Sequence, residues 1–208
     1  MSDNSEGLNS SDNVLDNLAW ASPEQLDRLR NQLTVAAQDG GILDIAYRTV
    51  ASPVGSLLLA ATDRGLVRVA FASEGYDTVL QELSDRVSPR ILNAPARLDG
   101  TAHELEEYFA GRRRTFDVAL DWRLSTGFRN AVLHQLIDIG YGDTASYSAI
   151  AQSAGSPRAV RAVGSACATN PLPLIVPCHR VVRSDGSMGG YRGGPDAKRV
   201  LLDLEAAA

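Results

Sequence analysis

The sequence predicts an α+β fold, in which a small sheet with helices comes first and a mostly helical part follows. Apart from one short apolar run at Leu174–Val176, strand-like runs lie within residues 45–71, and two of them flank the hairpin signal Asp63-Arg64-Gly65. From residue 122 onward, apolar residues recur mainly at helical spacing. Strands and helices that are separated along the chain in this way are typical of an α+β protein.

The individual elements follow from apolar spacing, caps and turns. Residues 1–18 are rich in Ser, Asn, Asp and Gly, and we expect them to be disordered. Pro23–Leu33 is predicted to be a helix with Ser22 as its N-cap. Strands are expected at Ile45–Val50, Leu57–Ala61, Leu66–Phe71 and, as a short buried run, Leu174–Val176. Further helices are expected at Tyr76–Arg86, Thr101–Ala110, Phe128–Ile139, Tyr147–Ser153, Pro157–Ala168 and Pro195–Glu205.

Changes in pattern divide the chain into three predicted parts: an N-terminal extension (1–44), an α+β domain (45–121) and a C-terminal domain (122–208). Hydrophobic content of 44% and charged content of 22% fit a globular protein. The sequence predicts neither a membrane span nor a signal peptide. Its two cysteines make neither a disulfide framework nor a zinc site, so we expect reduced thiols and a cytoplasmic location.

The charge distribution bears on possible partners. The net charge of −5 argues at first against nucleic acid as a partner. However, residues 1–46 carry eight acids and two arginines, whereas residues 122–208 carry nine basic and six acidic residues. This modest basic bias predicts weak, salt-sensitive binding to nucleic acid through the C-terminal part. Nothing in residues 45–121 suggests chemistry.

Two short predicted helices, Tyr147–Ser153 and Pro157–Ala168, are joined by the turn Ala154-Gly155-Ser156. This arrangement is compatible with a helix-turn-helix or with a plain helical hairpin. If the second helix begins at Pro157, Arg158 and Arg161 share one of its faces. Small residues on the same helix, including Ser165, would let it approach a duplex closely.

The motif Pro177-Cys178-His179-Arg180 contains the candidate catalytic residues. A thiol needs a nearby base to become a thiolate, and histidine is the usual one. Glu205 lies beside the apolar face of the last helix, where a carboxylate should be paired. We expect Arg180 to pair with a buried acid, and Lys198 to contact phosphate or face solvent.

These residues closely resemble the O6-alkylguanine-DNA alkyltransferases. The resemblance covers about the last 70 residues, and a weaker one reaches back to Tyr47. Its N-terminal part implies a ribonuclease-H-like scaffold. The matching segments are Ile175–Val182, Asp185–Tyr191, Gly193-Gly194, Lys198, Leu201-Leu202 and Glu205, with Ser146-Tyr147, Arg158–Gly164 and Asn170-Pro171 upstream.

The resemblance implies direct-reversal DNA repair. Cys178 would take the alkyl group from O6-methylguanine, and from O4-methylthymine, in a single turnover. His179 would act on the thiol through a water molecule, Glu205 would orient the histidine, and Asn170 would form the turn before the active-site strand. The implied substrate pocket contains Pro173, Val181, Tyr191 and Arg192.

The implied partner is double-stranded DNA, which the second helix would enter through the minor groove. Arg161 would fill the gap left by the flipped base, and Tyr147 would crowd its 3′ phosphate; Arg158 and Ser165 would also contact DNA. Base flipping is needed because the O6 substituent is hard to reach inside the stack. We expect a monomer that uses no cofactor and no metal.

Other functions remain open at this level. A non-catalytic protein that binds alkylated DNA would keep the scaffold, but such proteins lack the cysteine that stands here at Cys178. A methylation-activated regulator would need a cysteine-rich zinc segment upstream, and residues 1–46 contain no cysteine. A cysteine hydrolase would leave the DNA-binding elements unexplained.

Overall fold

The computed structural model describes residues 22–207, so the expectation for residues 1–18 lies outside the described residues. The described residues contain six strands: β1 (Ile45–Val50), β2 (Leu57–Thr62), β3 (Gly65–Phe71), β4 (Ile91–Asn93), β5 (Ala145–Ser146) and β6 (Val181–Val182). Seven α-helices are present within that range: α1 (Pro23–Asp39), α2 (Tyr76–Arg86), α3 (Asp99–Phe109), α4 (Gly127–Ile137), α5 (Tyr147–Ser153), α6 (Val160–Ala168) and α7 (Gly194–Ala206). The α+β prediction is confirmed.

The larger sheet has the order β3-β2-β1-β4, with β1 antiparallel to β2 and parallel to β4. The predicted hairpin between β2 and β3 pairs Thr62 with Gly65. Gly65 has φ 134°, and a Cβ atom there would lie 2.2 Å from the carbonyl oxygen of Ala119. Only glycine therefore allows the segment at Ala119 to lie against the turn.

Every residue of β2 is buried because both faces of the sheet are covered. Leu58 and Ala60 pack with Val79 and Leu83 of α2. Leu57, on the opposite face, belongs to a larger core that continues into the helical part. This two-sided burial explains why β2 reads as a continuous apolar run rather than an alternating one.

Helix α1 begins at Pro23 as predicted but continues to Asp39 rather than ending at Leu33. Its N-terminus is a capping box: the Gln25 backbone N donates to Ser22 Oγ (3.2 Å) and the Ser22 backbone N donates to Gln25 Oε1 (2.8 Å). No glycine or proline interrupts the chain before Gly40, so the helix has no reason to end sooner.

The predicted strand at Leu174–Val176 is wrong. The segment is a buried turn in which Leu174 has φ 71° and the Val176 backbone N donates to the Leu172 carbonyl. The Asn170 side chain bonds the backbone of Leu172 and Val176, which replaces the partners that a neighbouring strand would supply. The true strand is β6, five residues later, which pairs in parallel with β5.

The second helix of the helix-turn-helix prediction is shorter than expected. Helix α6 begins at Val160, and Ser156 does not cap it. Instead, the Ala159 backbone N donates to the Ser156 carbonyl at 2.8 Å, so Pro157 and Arg158 lie in a turn before the helix. The predicted shared helical face of Arg158 and Arg161 is therefore wrong, whereas α5 has the predicted bounds.

Candidate active site

Cys178 begins a single 3₁₀ turn, Cys178–Arg180, between the buried turn and β6. Its side chain is almost completely buried, with 1% exposure. Burial raises the pKa of the thiol to about 11, although a hydrogen bond from Asn170 and the charge of Lys198 act in the opposite direction. In this state the thiol is protonated at neutral pH.

Asn170 holds the backbone that precedes the thiol. Its Nδ2 atom donates to Cys178 Sγ (3.2 Å) and to the Val176 carbonyl (2.9 Å). Its Oδ1 atom accepts from the Leu172 backbone N at 2.9 Å. A single buried amide thus fixes both the turn and the position of the sulfur, as the prediction of a turn asparagine requires.

His179 is fully buried, and its Nε2 atom lies 2.9 Å from Glu205 Oε1. Because the carboxylate accepts, Nε2 carries the proton, and Nδ1 is left with a lone pair. Among the described residues, Nδ1 has no hydrogen-bond partner. Burial lowers the pKa of His179, so the imidazole is neutral and Nδ1 can accept a proton.

Glu205 lies at the centre of a buried set of donors. Arg180 binds both of its oxygens, at 2.8 Å through Nε and 2.9 Å through Nη2, which confirms the expected pairing of Arg180 with a buried acid. The Gly142 backbone N adds a bond of 3.3 Å. Burial raises the pKa of Glu205, but hydrogen bonds from His179 and Arg180 outweigh this and lower it to about 2.

Two side chains of this site were not predicted from the sequence. Tyr108 of α3 donates to Glu205 Oε1 at 2.6 Å, which corrects the expectation that residues 45–121 hold nothing for the chemistry. Lys198 is fully buried rather than facing solvent or phosphate, and its Nζ donates to the Val181 carbonyl at 2.6 Å. A signal for Lys198 existed, since it lies one turn before Leu201 on the buried face of α7.

The predicted pocket residues come from both sides of Cys178 in the sequence, and Tyr191 is the one that lies beside His179. The ring of Tyr191 lies 6.2 Å from that of His179 and 5.6 Å from that of Phe71. Arg192 Nε donates to Glu74 Oε2. Val181 and Pro173 are buried, in β6 and in the turn before Cys178 respectively.

The predicted DNA-contacting residues lie on α5 and α6 and in the turn between these helices. Arg161 and Ser165 are exposed on α6, whose other face packs Val163 and Cys167 into the core. Arg158 is exposed in the preceding turn. Tyr147, at the start of α5, is partly buried, and a Cβ atom on Gly189 would lie 2.1 Å from its hydroxyl.

Arg158 and Arg161 form no ion pair with the side chains that the structure describes. In the same part of the chain, no group of three or more His, Cys, Asp and Glu side chains could hold a metal ion. None of the helices described is long and apolar enough to cross a bilayer.

Two family models match the chain. Residues 45–122 match the model described as "6-O-methylguanine DNA methyltransferase, ribonuclease-like domain". Residues 127–207 match the model described as "6-O-methylguanine DNA methyltransferase, DNA binding domain". Together the two models span the larger sheet, the helix pair α5 and α6, and the buried Cys178.

Similar proteins carry one name. The chain is 40% identical over 161 residues to a methylated-DNA–protein-cysteine methyltransferase of Mycobacterium bovis, a match that covers 77% of this chain and 92% of the relative. It is 39% identical over 159 residues to the protein of that name from Methanosarcina barkeri, with 76% and 96% of the two chains covered.

Solved structures agree. The crystal structure of Mycobacterium tuberculosis O6-methylguanine methyltransferase has a TM-score of 0.69 and 39% identity, over 78% of this chain and 93% of that one. The structure of Mycobacterium tuberculosis OGT in complex with DNA has the same TM-score and coverage, with 40% identity.

Proposed function

The chain belongs to the 6-O-methylguanine DNA methyltransferase family, and on that premise we propose which of its residues perform each step. Its function is direct reversal of DNA alkylation, in which a methyl group moves from methylated DNA to a cysteine of the protein itself. DNA is accordingly its partner. We propose which residues accept the methyl group, which activate the thiol and which rotate the base.

Cys178 is the methyl acceptor. The observation that carries this assignment is the hydrogen bond that Asn170 donates to the Cys178 sulfur, in a thiol followed directly by a His179 whose Nδ1 lone pair is unpartnered among the described residues. Cys167, the other cysteine, also lies buried, but in α6, where burial raises its pKa to about 12. The Asn170 backbone N donates to the Cys167 carbonyl, but within residues 22–207 no histidine or asparagine side chain donates to the Cys167 thiol.

Thiol activation has to be coupled to binding. A pKa of about 11 leaves only roughly one thiol in ten thousand ionised at pH 7. His179 takes the proton from the thiol through a water molecule, and Glu205 stabilises the imidazolium that forms. The thiolate then attacks the methyl carbon; the S–C bond forms as the C–O6 bond breaks, and the guanine regains the proton that the thiol lost.

Burial of the thiol also requires base flipping. With 1% exposure, the Cys178 side chain cannot meet a base that stays stacked in a duplex. Extruding the base costs a few kcal/mol, which contacts to the DNA have to offset. We assign these contacts to α6 in the minor groove, to the turn before it and to the start of α5: Arg161 fills the gap, Ser165 and Arg158 contact the backbone, and Tyr147 crowds the phosphate of the rotated nucleotide.

The flipped base enters a pocket formed by Pro173, Val181, Tyr191 and Arg192. The Val181 carbonyl is already held by Lys198, so the backbone that faces the base is fixed before the substrate arrives. O6-methylguanine is the substrate that the family description specifies, and we include O4-methylthymine in the proposal. The protein acts as a cytoplasmic monomer that needs no cofactor.

The product is a thioether without a good leaving group, so each molecule reacts once. This proposal is tested by the intact mass of the protein after incubation with a duplex that carries O6-methylguanine. The wild type and Cys167→Ala should each gain the mass of one CH₂ group, mapped to Cys178, and Cys178→Ala should gain none. A methyl group on Cys167 would overturn the assignment, and lesion binding without any mass gain would instead favour a non-catalytic binder of alkylated DNA.

A further inference from the structure

Tyr108 and Glu205 meet although 97 positions separate them in the chain. Tyr108 lies on α3, beside the first sheet, and Glu205 lies in the last turn of α7. The Tyr108 hydroxyl donates to Glu205 Oε1 at 2.6 Å, and both side chains are buried, with 0% and 3% exposure. The first part of the chain thus reaches the carboxylate that binds His179.

The Glu205 carboxylate accepts five hydrogen bonds, which is more than its roughly four lone-pair sites. Oε1 accepts from Tyr108, from His179 at 2.9 Å and from Arg180 at 2.9 Å. Oε2 accepts from Arg180 and from the Gly142 backbone N. Tyr108 and His179 therefore share one oxygen, so the strength of either bond depends on the other.

We infer that Tyr108 is a positioning residue for methyl transfer: its hydroxyl fixes the Glu205 carboxylate toward His179 and limits how strongly that carboxylate holds the imidazole. The inference rests on the proposed function, because it assumes that His179 is the base. The packing contacts of the Tyr108 ring do not depend on its hydroxyl. Tyr108 stacks edge-on against Tyr141 and packs on Phe116, and a phenylalanine would keep both contacts.

Removing the hydroxyl has a defined electrostatic effect. With one donor fewer, Oε1 becomes a stronger acceptor and stabilises the imidazolium form of His179, so the pKa of His179 rises. The other groups that face His179 are Cys178, Arg180, Lys198 and Tyr191. Those that face Glu205 are Arg180 and Tyr141 besides Tyr108 and His179. All of these are unchanged in Tyr108→Phe.

Tyr141→Phe is a matched control. Tyr141 packs against Tyr108 with ring centroids 5.9 Å apart, and its hydroxyl lies 3.4 Å from the Leu204 carbonyl. It makes no hydrogen bond to Glu205 among the described contacts. Both variants lose one hydroxyl from the same aromatic cluster, but only one of them changes the donors of the carboxylate.

The test combines two measurements on the full chain: the ¹⁵N shifts of the His179 ring as a function of pH, and the single-turnover rate of methyl transfer as a function of pH. The exposed His103 and His134 are internal references. Tyr108→Phe should raise the pKa of His179 by roughly half a pH unit. It should move the acid limb of the rate profile to higher pH by the same amount, because protonated His179 cannot act as the base.

Tyr141→Phe should leave both profiles at their wild-type positions. The inference is overturned if Tyr108→Phe and the wild type have the same His179 titration and the same rate profile, or if both variants slow the transfer equally without a shift in pH. If the wild-type protein gained no methyl group, the proposed function would be wrong, which is a different outcome from failure of the Tyr108 inference. The His179 titration would still report separately whether Tyr108 controls the Glu205–His179 pair.

Discussion

Glu74 and Arg192 join the end of the first sheet to the loop that carries Tyr191, across 118 positions of sequence. Glu74 also pairs with Arg68, whose side chain is 3% exposed. Beside this cluster, a Cβ atom on Gly193 would lie 2.6 Å from the Phe71 ring, and Phe71 in turn contacts Tyr191. The sheet therefore serves as a support for one wall of the proposed substrate pocket.

Glu74→Ala should be strongly destabilising, because it leaves the buried Arg68 charge without its partner. We expect a loss of about 3 kcal/mol in the free energy of unfolding, measured by urea denaturation. The control is Glu106→Ala, an exposed glutamate on α3 whose loss should change stability by less than about 0.5 kcal/mol. Equal stability of the two variants would contradict the view that Glu74 holds the two parts together.

Glu205→Gln should slow methyl transfer strongly, although the two side chains have nearly the same size and shape. The amide offers one acceptor and one donor where the carboxylate offers two acceptors, so it cannot serve Tyr108, His179 and Arg180 together. We expect a loss of roughly 100-fold or more in the single-turnover rate. Asp203→Asn, an exposed change of the same chemistry on the same helix, should keep the wild-type rate. A variant that kept most of its rate would exclude Glu205 from the orientation of His179.

The same carboxylate predicts acid sensitivity of the fold. The pKa of Glu205 is lowered from 4.5 to about 2, so the stability it contributes is fully present above pH 4.5 and is lost as the pH falls toward 2. The pKa of His179 is lowered as well, and its contribution is present above 6.5 and declines below that value. Both groups act in the same direction.

Urea denaturation at a series of pH values measures this effect. The Glu205 shift corresponds to about 3 kcal/mol between its folded and unfolded values. The stability of Glu205→Gln should therefore depend less on pH than that of the wild type between pH 4.5 and 2, whereas Asp203→Asn should follow the wild type. Parallel curves for the wild type and Glu205→Gln would show that folding does not lower the pKa of Glu205.

Arg161 and Arg158 should respond differently to removal. Arg161→Ala should reduce transfer from a duplex by roughly 10-fold or more, because the gap left by the flipped base is no longer filled. The same variant should lose much less with a single-stranded oligonucleotide, which has no base-paired stack to restore. A loss of the same size on both substrates would argue against the gap-filling role.

Arg158→Ala is the companion experiment, since this arginine lies in the turn before α6 rather than on its face. As a phosphate contact, it should weaken duplex binding and reduce the salt dependence of log K by about one. The transfer rate at saturating DNA should stay near the wild-type value. A loss of rate at saturation would place Arg158 among the residues that act on the base.

Local patterns were sufficient to predict most elements of the fold and the chemical core of the site. The hairpin at Asp63-Arg64-Gly65 and helix α5 can be predicted from a few neighbouring residues. The Cys178-His179 pair was identified by its motif, and Glu205 by its position beside the apolar face of the last helix. The strand prediction for Leu174–Val176 was wrong because a buried turn held by an asparagine side chain has the same apolar sequence as a buried strand. The long-range partners Tyr108 and Glu74 had no local signal, since only the folded chain brings them to α7 and to Arg192.

The buried, protonated state of Cys178 has a consequence outside DNA repair itself. In a protein that acts once, a thiol that was always ionised would be a disadvantage. Oxidants and small electrophiles attack the thiolate and would inactivate the protein before it met its substrate. At 1% exposure and a pKa of about 11, the unused thiol is chemically quiet. The fold thus protects the unused thiol from oxidants and electrophiles, and on the proposed function its reactivity appears only when a base from DNA enters the pocket.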